Sequence, residues 1–361
     1  MTRPRSSRSS VPTARNLGLT HPKAQEDLQQ LGWVDAKHAE QMWILAATGD
    51  PDLALNNLIR LVNALGDEAS ELLDRIAESR TFAVRLLGLF GASSMLGDHI
   101  VAHPQEWKQL ESGMPTSQEM MELMLGSVEA TRVEGAGERV FRAAVTGSQA
   151  DDAMRLAYRT ILARIAAVDV AGPFVQRGQK PCKPVSFELV SRRLSDAADA
   201  ALTAALAVAC AQVYDADEEP ARLAVLAMGK CGAQELNYIS DVDVIFVAEP
   251  ADPKATRWAG EFINIGTRVF FEVDAALRPE GKSGALVRTL ESHVNYYNRW
   301  AETWEFQAQL KARPMTGDLA LGQEYVDALA SKVWSATERE DFVTDVQAMR
   351  RRVIAVSYTH L

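Results

Sequence analysis

The stretch GKCGAQELNYISDVDVIF, residues 229–246, sets two aspartates, Asp241 and Asp243, one residue apart within an apolar run. Its second half continues as DVDVIFVAE (241–249), short and rich in β-branched residues, and reads as a buried strand. Side chains alternate along a strand, so Asp241 and Asp243 project from one face and Val242 and Val244 from the other. Two carboxylates at that separation raise each other's pKa unless a cation lies between them. A hard divalent ion such as Mg2+ takes carboxylate oxygens while leaving positions open for phosphate. A bare pair of this kind is explained equally well by an exposed strand edge, so its neighbours have to decide.

Three neighbouring features favour phosphate chemistry. Asp274 lies in the next expected strand, FEVDAALRPEG (271–281), and reaches the same face if that strand pairs with the first. Upstream, RLAVLAMG (222–229) reads as a strand ending in Gly229, with Gly232 close behind. Backbone N–H groups there can approach a phosphate with no Cβ in the way, more so where a helix begins. Lys230, Arg278 and Lys282 offer cations where charge develops on phosphate oxygens, although such side chains are ordinarily solvated. Gly281–Ser283 matches the end of a P-loop, but the glycine needed five residues earlier is Ala276, which excludes a P-loop NTPase.

The bulk numbers set the frame. The chain has 361 residues, 47% of them hydrophobic, enough for two or three domains with a sizeable core. A net charge of -10 argues against a nucleic-acid partner. Cys182, Cys210 and Cys231 form no CxxC pair and have no histidine at zinc-ligand spacing, which suits a reducing cytoplasm, the expected location. No stretch approaches the roughly 18 uninterrupted apolar residues of a membrane span, and no apolar signal core follows the start, so no membrane association is expected. The opening MTRPRSSRSSVPTAR, with four arginines, four serines and no acid, reads as a disordered tail over 1–20 rather than a transit peptide, because no apolar face accompanies the arginines.

From about residue 22 to 215 the pattern is helical nearly throughout, giving a helical domain over 21–184. In GDPDLALNNLIRLVNAL (49–65), Asp50 caps, Pro51 takes the first helical position, and Leu55, Leu58, Ile59, Val62 and Leu65 share a face. Breaks fall at SGMPTS (112–117), TGSQ (146–149) and RGQKPCKP (177–184), the last being the best linker. An alanine-rich helix near 186–214 opens the next domain, 185–318. ATRWAGEFINIGTRVFF (255–271) follows as a helix with Trp258, Phe262, Ile265 and Val269 on one face. Helical patterns return from about 288, and 319–361 begins a further helical region. There TDVQAMRRRV runs into IAVSYTHL with neither cap nor turn, so a fragment with a few foreign terminal residues is expected. His99 and His103, four apart, lack a third ligand and are expected to be structural. Trp300, Trp304 and Phe306 are expected in packing, with lining of an adenine pocket as the alternative.

MGKCGAQELNYISDVDVIFV (228–247), EVDAALRPEGKSGALV (272–287) and TWEFQAQLKARP (303–314) closely resemble the glutamine synthetase adenylyltransferase/adenylyl-removing enzymes, in a form similar to the actinobacterial members. DPDLALNNLIRLV (50–62) and LLGLFGASSMLGDHIVAHPQEW (86–107) extend the likeness over nearly all of 20–353. The resemblance implies an α+β chain: a mostly helical N-terminal domain, then a polymerase-β-like nucleotidyltransferase domain with a small mixed sheet, then helices. Such enzymes hold two related cassettes, one removing AMP from a tyrosine of glutamine synthetase by phosphorolysis with release of ADP, the other attaching AMP from ATP. ELNYISDVD is closer to the removing half, so that half is expected here.

Carried over by the same resemblance, Asp241 and Asp243 match the paired metal ligands and Asp274 the third carboxylate, all three being catalytic. Gly229, Lys230, Ser240 and Arg278 make up the expected nucleotide and phosphate contacts. Ala233, where a second glycine is usual, and Cys231, often leucine, depart from the commonest form. The implied cofactor is Mg2+. The implied partners are adenylylated glutamine synthetase, phosphate with ADP or ATP, and a PII-type signal protein. Two other readings stand beside this one: a binding module that docks glutamine synthetase or a PII-type protein without turnover, and a metal-dependent nucleotidyltransferase acting on RNA or a small antibiotic.

Overall fold

The computed structural model describes residues 11–172, 184–337, 343–348 and 351. The tail over 1–10, the linker up to residue 183 with Cys182, and the terminal IAVSYTHL lie outside the described residues. The chain divides into two compact units, each drawn from two stretches. The first comprises Met1–Pro115 and Arg159–Val190, the second Thr116–Tyr158 and Ser191–Leu361.

The first unit is helical. Its helix Pro51–Leu65 begins where Asp50 accepts a hydrogen bond from the Leu53 amide at 2.9 Å, with Pro51 in the first turn. Leu55, Leu58, Leu61 and Leu65 are buried on it, and Arg80–Ala92 and Ser94–Ala102 pack against it. Asn57, fully buried among them, donates to the Phe90 carbonyl at 3.2 Å. Residues 11–20 depart from the expected tail. Thr13 caps a short turn at Ala14–Leu17, and Leu17 and Leu19 are buried because two leucines this close to an apolar helix face have somewhere to go.

Among the described residues the second unit holds two small sheets. β1 (Thr131–Arg132) and β2 (Phe141–Arg142) form an antiparallel ladder, which sequence periodicity missed because two-residue strands show none. The main sheet is mixed, as expected. β3 (Arg222–Ala227) pairs antiparallel with β4 (Val242–Glu249), while β5 (Val273–Asp274) and β6 (Val287–Arg288) both pair parallel with β4. β7 (Arg313–Gly317) lies antiparallel on the far side of β3, a strand where only helix was expected. Pro314 and Gly317 hide it in the sequence, and its outer position tolerates the proline.

Strand alternation sorts the two faces. Ala224, Leu226, Ile245 and Val247 meet Tyr297, Phe306, Leu321 and Tyr325 of the helices Leu290–Arg299, Thr303–Gln309 and Leu319–Thr337. On the other face Phe246 stacks edge-on against Phe262 of Pro253–Val269, at 5.7 Å between ring centres. Trp258, Phe262, Ile265 and Val269 are all buried, as their spacing predicts, and Trp258 donates to the Leu206 carbonyl at 3.0 Å. Leu206 belongs to Phe187–Val213, a helix apolar and long enough to cross a membrane, but 89% of its most apolar window is buried within the protein. It is a core helix, alanine-rich because neighbours press on it from several sides.

Candidate active site

The carboxylates gather where β4 starts. Asp241 is exposed just ahead of the strand and Asp243 is half-buried within it. The parallel pairing of β4 with β5 makes Asp243 and Asp274 direct partners in register, which puts both on one face of the sheet. Burial is the main reason the Asp243 carboxyl is pushed up to about 6, with the charges of Asp241 and Asp274 adding to it and Lys230 opposing. Asp274 accepts the Ala276 amide at 2.7 Å, and the exposed Lys282 ammonium stands 3.9 Å from its other oxygen. At that exposure and distance the ion pair contributes little.

The turn between β3 and β4 begins with Gly229, at φ 52°, a conformation L side chains rarely adopt. A Cβ there would sit 2.8 Å from Asp243 Oδ2, so glycine is required both by the backbone and by the carboxylate beside it. Gly232 is required for another reason. Its amide donates to the Met228 carbonyl at 2.9 Å, and a Cβ would fall 2.0 Å from the Lys311 carbonyl, so it serves packing rather than phosphate approach. Ala233 takes an ordinary right-handed conformation, and alanine fits where the family commonly has glycine.

The remaining expected residues divide. The Ser240 hydroxyl is buried with no hydrogen-bond partner among the described residues, one residue from Asp241. Such a group costs free energy unless something occupies the space it faces. Lys230 is exposed on the short helix Gly229–Gly232 and close enough to act on Asp243. Arg278 turns inward to brace its own loop, donating to the carbonyls of Ala275, Lys282 and Gly284 at 2.7, 2.9 and 3.0 Å. Two of the five guanidinium N–H groups remain for another acceptor.

Sequence reasoning missed the anchor of the turn. Arg313, at the start of β7, forks onto Asp199 of the core helix at 2.6 and 2.9 Å and also donates to the carbonyls of Cys231 and Gly232 at 3.1 and 3.3 Å. Burial pushes the Asp199 carboxyl up, and the hydrogen bonds and charge of Arg313 hold it against that cost. The pair ties the glycine turn to a helix and a strand at once. Its only trace in the sequence is the KARP of 311–314, which carries no motif of its own.

Among the described residues no group of three or more His, Cys, Asp or Glu stands close enough to hold a metal ion, so the trio is an open arrangement. The donors still fit a hard divalent ion. They are carboxylates alone, with Asp243 raised first by burial and then by the other two acids, beside a buried hydroxyl that lacks a partner among the described residues. His99 is buried and rests against His103, 5.2 Å between ring centres. Burial pushes it down to about 4, the behaviour of a neutral structural histidine. Of the aromatics, Phe306 joins the core and Trp304 donates to Glu302 at 2.9 Å. Trp300, expected in packing, is 72% exposed as the residue that closes the helix Leu290–Arg299.

Comparison with known proteins adds an independent line. The family pattern described as glutamate-ammonia ligase adenylyltransferase matches residues 83–328. The chain is 53% identical to the bifunctional glutamine synthetase adenylyltransferase/adenylyl-removing enzyme of Corynebacterium glutamicum, over 96% of this chain and 35% of that one. It is 52% identical to the protein so named from Nocardia farcinica, over 98% of this chain and 35% of that one. For the Mycobacterium tuberculosis protein the figures are 49%, 96% and 34%. The chain thus spans about a third of the length of the curated relatives it matches.

Proposed function

The chain belongs to the glutamate-ammonia ligase adenylyltransferase family, and on that premise we propose that it removes AMP from an adenylylated tyrosine of glutamine synthetase by phosphorolysis, in the cytoplasm. The observation that carries the reading is the register of Asp243 with Asp274 beside the unpartnered Ser240 hydroxyl. The wording ELNYISDVD favours the removing over the attaching direction. In the reaction an oxygen of inorganic phosphate attacks the adenylyl phosphorus, the bond to the tyrosine oxygen breaks, and ADP and tyrosine result.

Asp241, Asp243 and Asp274 would hold Mg2+, which when bound supplies positive charge to phosphoryl oxygens and relieves the repulsion among the three acids. The chain's own groups do the rest. Ser240, one residue from Asp241, would donate to a phosphoryl oxygen on rotation of its hydroxyl out of the buried position it occupies. Lys230 and the two uncommitted N–H groups of Arg278 draw the anionic co-substrate to the turn. Gly229 keeps its backbone clear so that the Asp243 carboxylate is not displaced. Phosphate is an anion at neutral pH and needs no strong general base, while the departing phenol, with an ordinary pKa of about 10, takes its proton from solvent.

The test is incubation of the chain with adenylylated glutamine synthetase, phosphate and Mg2+. Release of ADP is expected, together with its loss by about a hundred- to a thousandfold in Asp241→Asn and Asp243→Asn proteins that fold normally, the order of effect of removing a group that stabilises transition-state charge. Undiminished ADP release by either folded variant would refute the assignment. Regulation by a PII-type protein belongs to the same proposal and is read as a change in that rate when such a protein is added.

A further inference from the structure

Between the glycine turn and β4 the chain makes a short loop, Asn237–Tyr238–Ile239, exposed throughout. Both ends are pinned. Leu236 is buried and its amide donates to Ser195 Oγ at 3.3 Å, while the Val242 amide donates to the Glu272 carbonyl at 2.9 Å. At the tip Ile239 is 91% exposed, the most exposed large apolar side chain among the described residues, with Tyr238 beside it at 43%. Single exposed aliphatic residues are common on protein surfaces and by themselves mean nothing. Ile239 differs in place: the next residue is Ser240, with its unpartnered hydroxyl, and the one after is Asp241.

We infer that Ile239 is a docking and specificity residue for a protein substrate, covered by an apolar spot on the folded surface around the modified tyrosine. This rests on the reading given under Proposed function and names how the substrate is distinguished. A nucleotide base is the rival occupant. A base gains from an aliphatic side chain when it is held against a wall, and a side chain 91% exposed has no wall facing it. An extended protein surface can remove such a residue from water. The loop is fixed at its ends, so little ordering is required when the partner arrives.

The experiment compares the unaltered chain with Ile239→Ser and Ile239→Val on two substrates, adenylylated glutamine synthetase and the AMP ester of N-acetyl-tyrosinamide, with phosphate and Mg2+, alongside binding of adenylylated glutamine synthetase by surface plasmon resonance. Ile239→Ser is expected to raise KM and Kd for the protein about tenfold or more, the effect of leaving one aliphatic side chain unburied. Its kcat and its turnover of the small ester stay the same, and Ile239→Val recovers most of the loss. Unchanged KM and Kd for the protein overturn the inference. So does an equal loss on both substrates, which would assign Ile239 to the nucleotide or the turn. If the unaltered chain releases no ADP, the phosphorolysis reading fails and the binding arm decides alone: weaker binding by Ile239→Ser supports docking, and equal or absent binding overturns it.

Discussion

Asp243 bears a conflict between folding and function. Its carboxyl protonates near pH 6 in the folded protein, against about 4 in an unfolded chain, with burial the largest cause and the two neighbouring acids next. Below pH 4 both states hold the proton, and above about 6 both have lost it with the folded state carrying the cost. Stability therefore falls as pH rises between those values. Asp243→Asn removes the cost. Its thermal transition is expected to coincide with that of the unaltered protein at pH 4 and to lie about 2–4 °C higher at pH 8, a difference kept modest because the group still touches water. Melting curves at the two pH values check this, and a lower transition at pH 8 would show that the carboxylate stabilises the fold. The acid pair was legible in the sequence because charge inside a β-branched run is conspicuous. Arg313 was not, since an arginine before a proline looks like any loop residue until Asp199, 114 positions away, is brought to it.

At the scale of elements, β3 and β4 could be read because their apolar runs end at glycine or proline and each buries both faces. β7 could not, because an outermost strand accepts Pro314 and needs no regular pattern. The ion pair crossing from β7 to the core helix is what holds the glycine turn against the sheet. Arg313→Ala leaves Asp199 buried and alone, and is expected to cost about 3 kcal/mol, the lower end of the range for breaking a buried pair, because the arginine itself remains partly exposed. Urea unfolding measures the loss. Replacing both residues, Arg313→Met with Asp199→Leu, is expected to recover most of that stability. Phosphate turnover is not expected to return, since nothing then restrains the carbonyls of Cys231 and Gly232.

At the scale of the molecule, the sequence conveyed the class of fold and the order of helical and mixed regions, because long amphipathic helices and short β-branched strands leave different periods. How stretches distant in the chain combine leaves no period at all. The second unit takes Thr116–Tyr158 from the middle of the helical part and uses it throughout. The Arg139 amide donates to the Gly317 carbonyl, the Ala143 amide to Ala207, Asp151 pairs with Arg268, and Tyr158 stacks on Phe270. Recombinant shortening at 184/185, where a linker invites the cut, would strip all four supports from the part that carries the acids. A polypeptide of 185–361 is expected to bind the dye ANS and aggregate, whereas one beginning at 116 keeps those partners and is expected to aggregate less and to bind less of the dye, the remainder coming from Arg159–Val190, which it carries without the first unit. For this protein the portable piece is set by which strands and helices lean on one another, and a break in hydropathy is a poor guide to it.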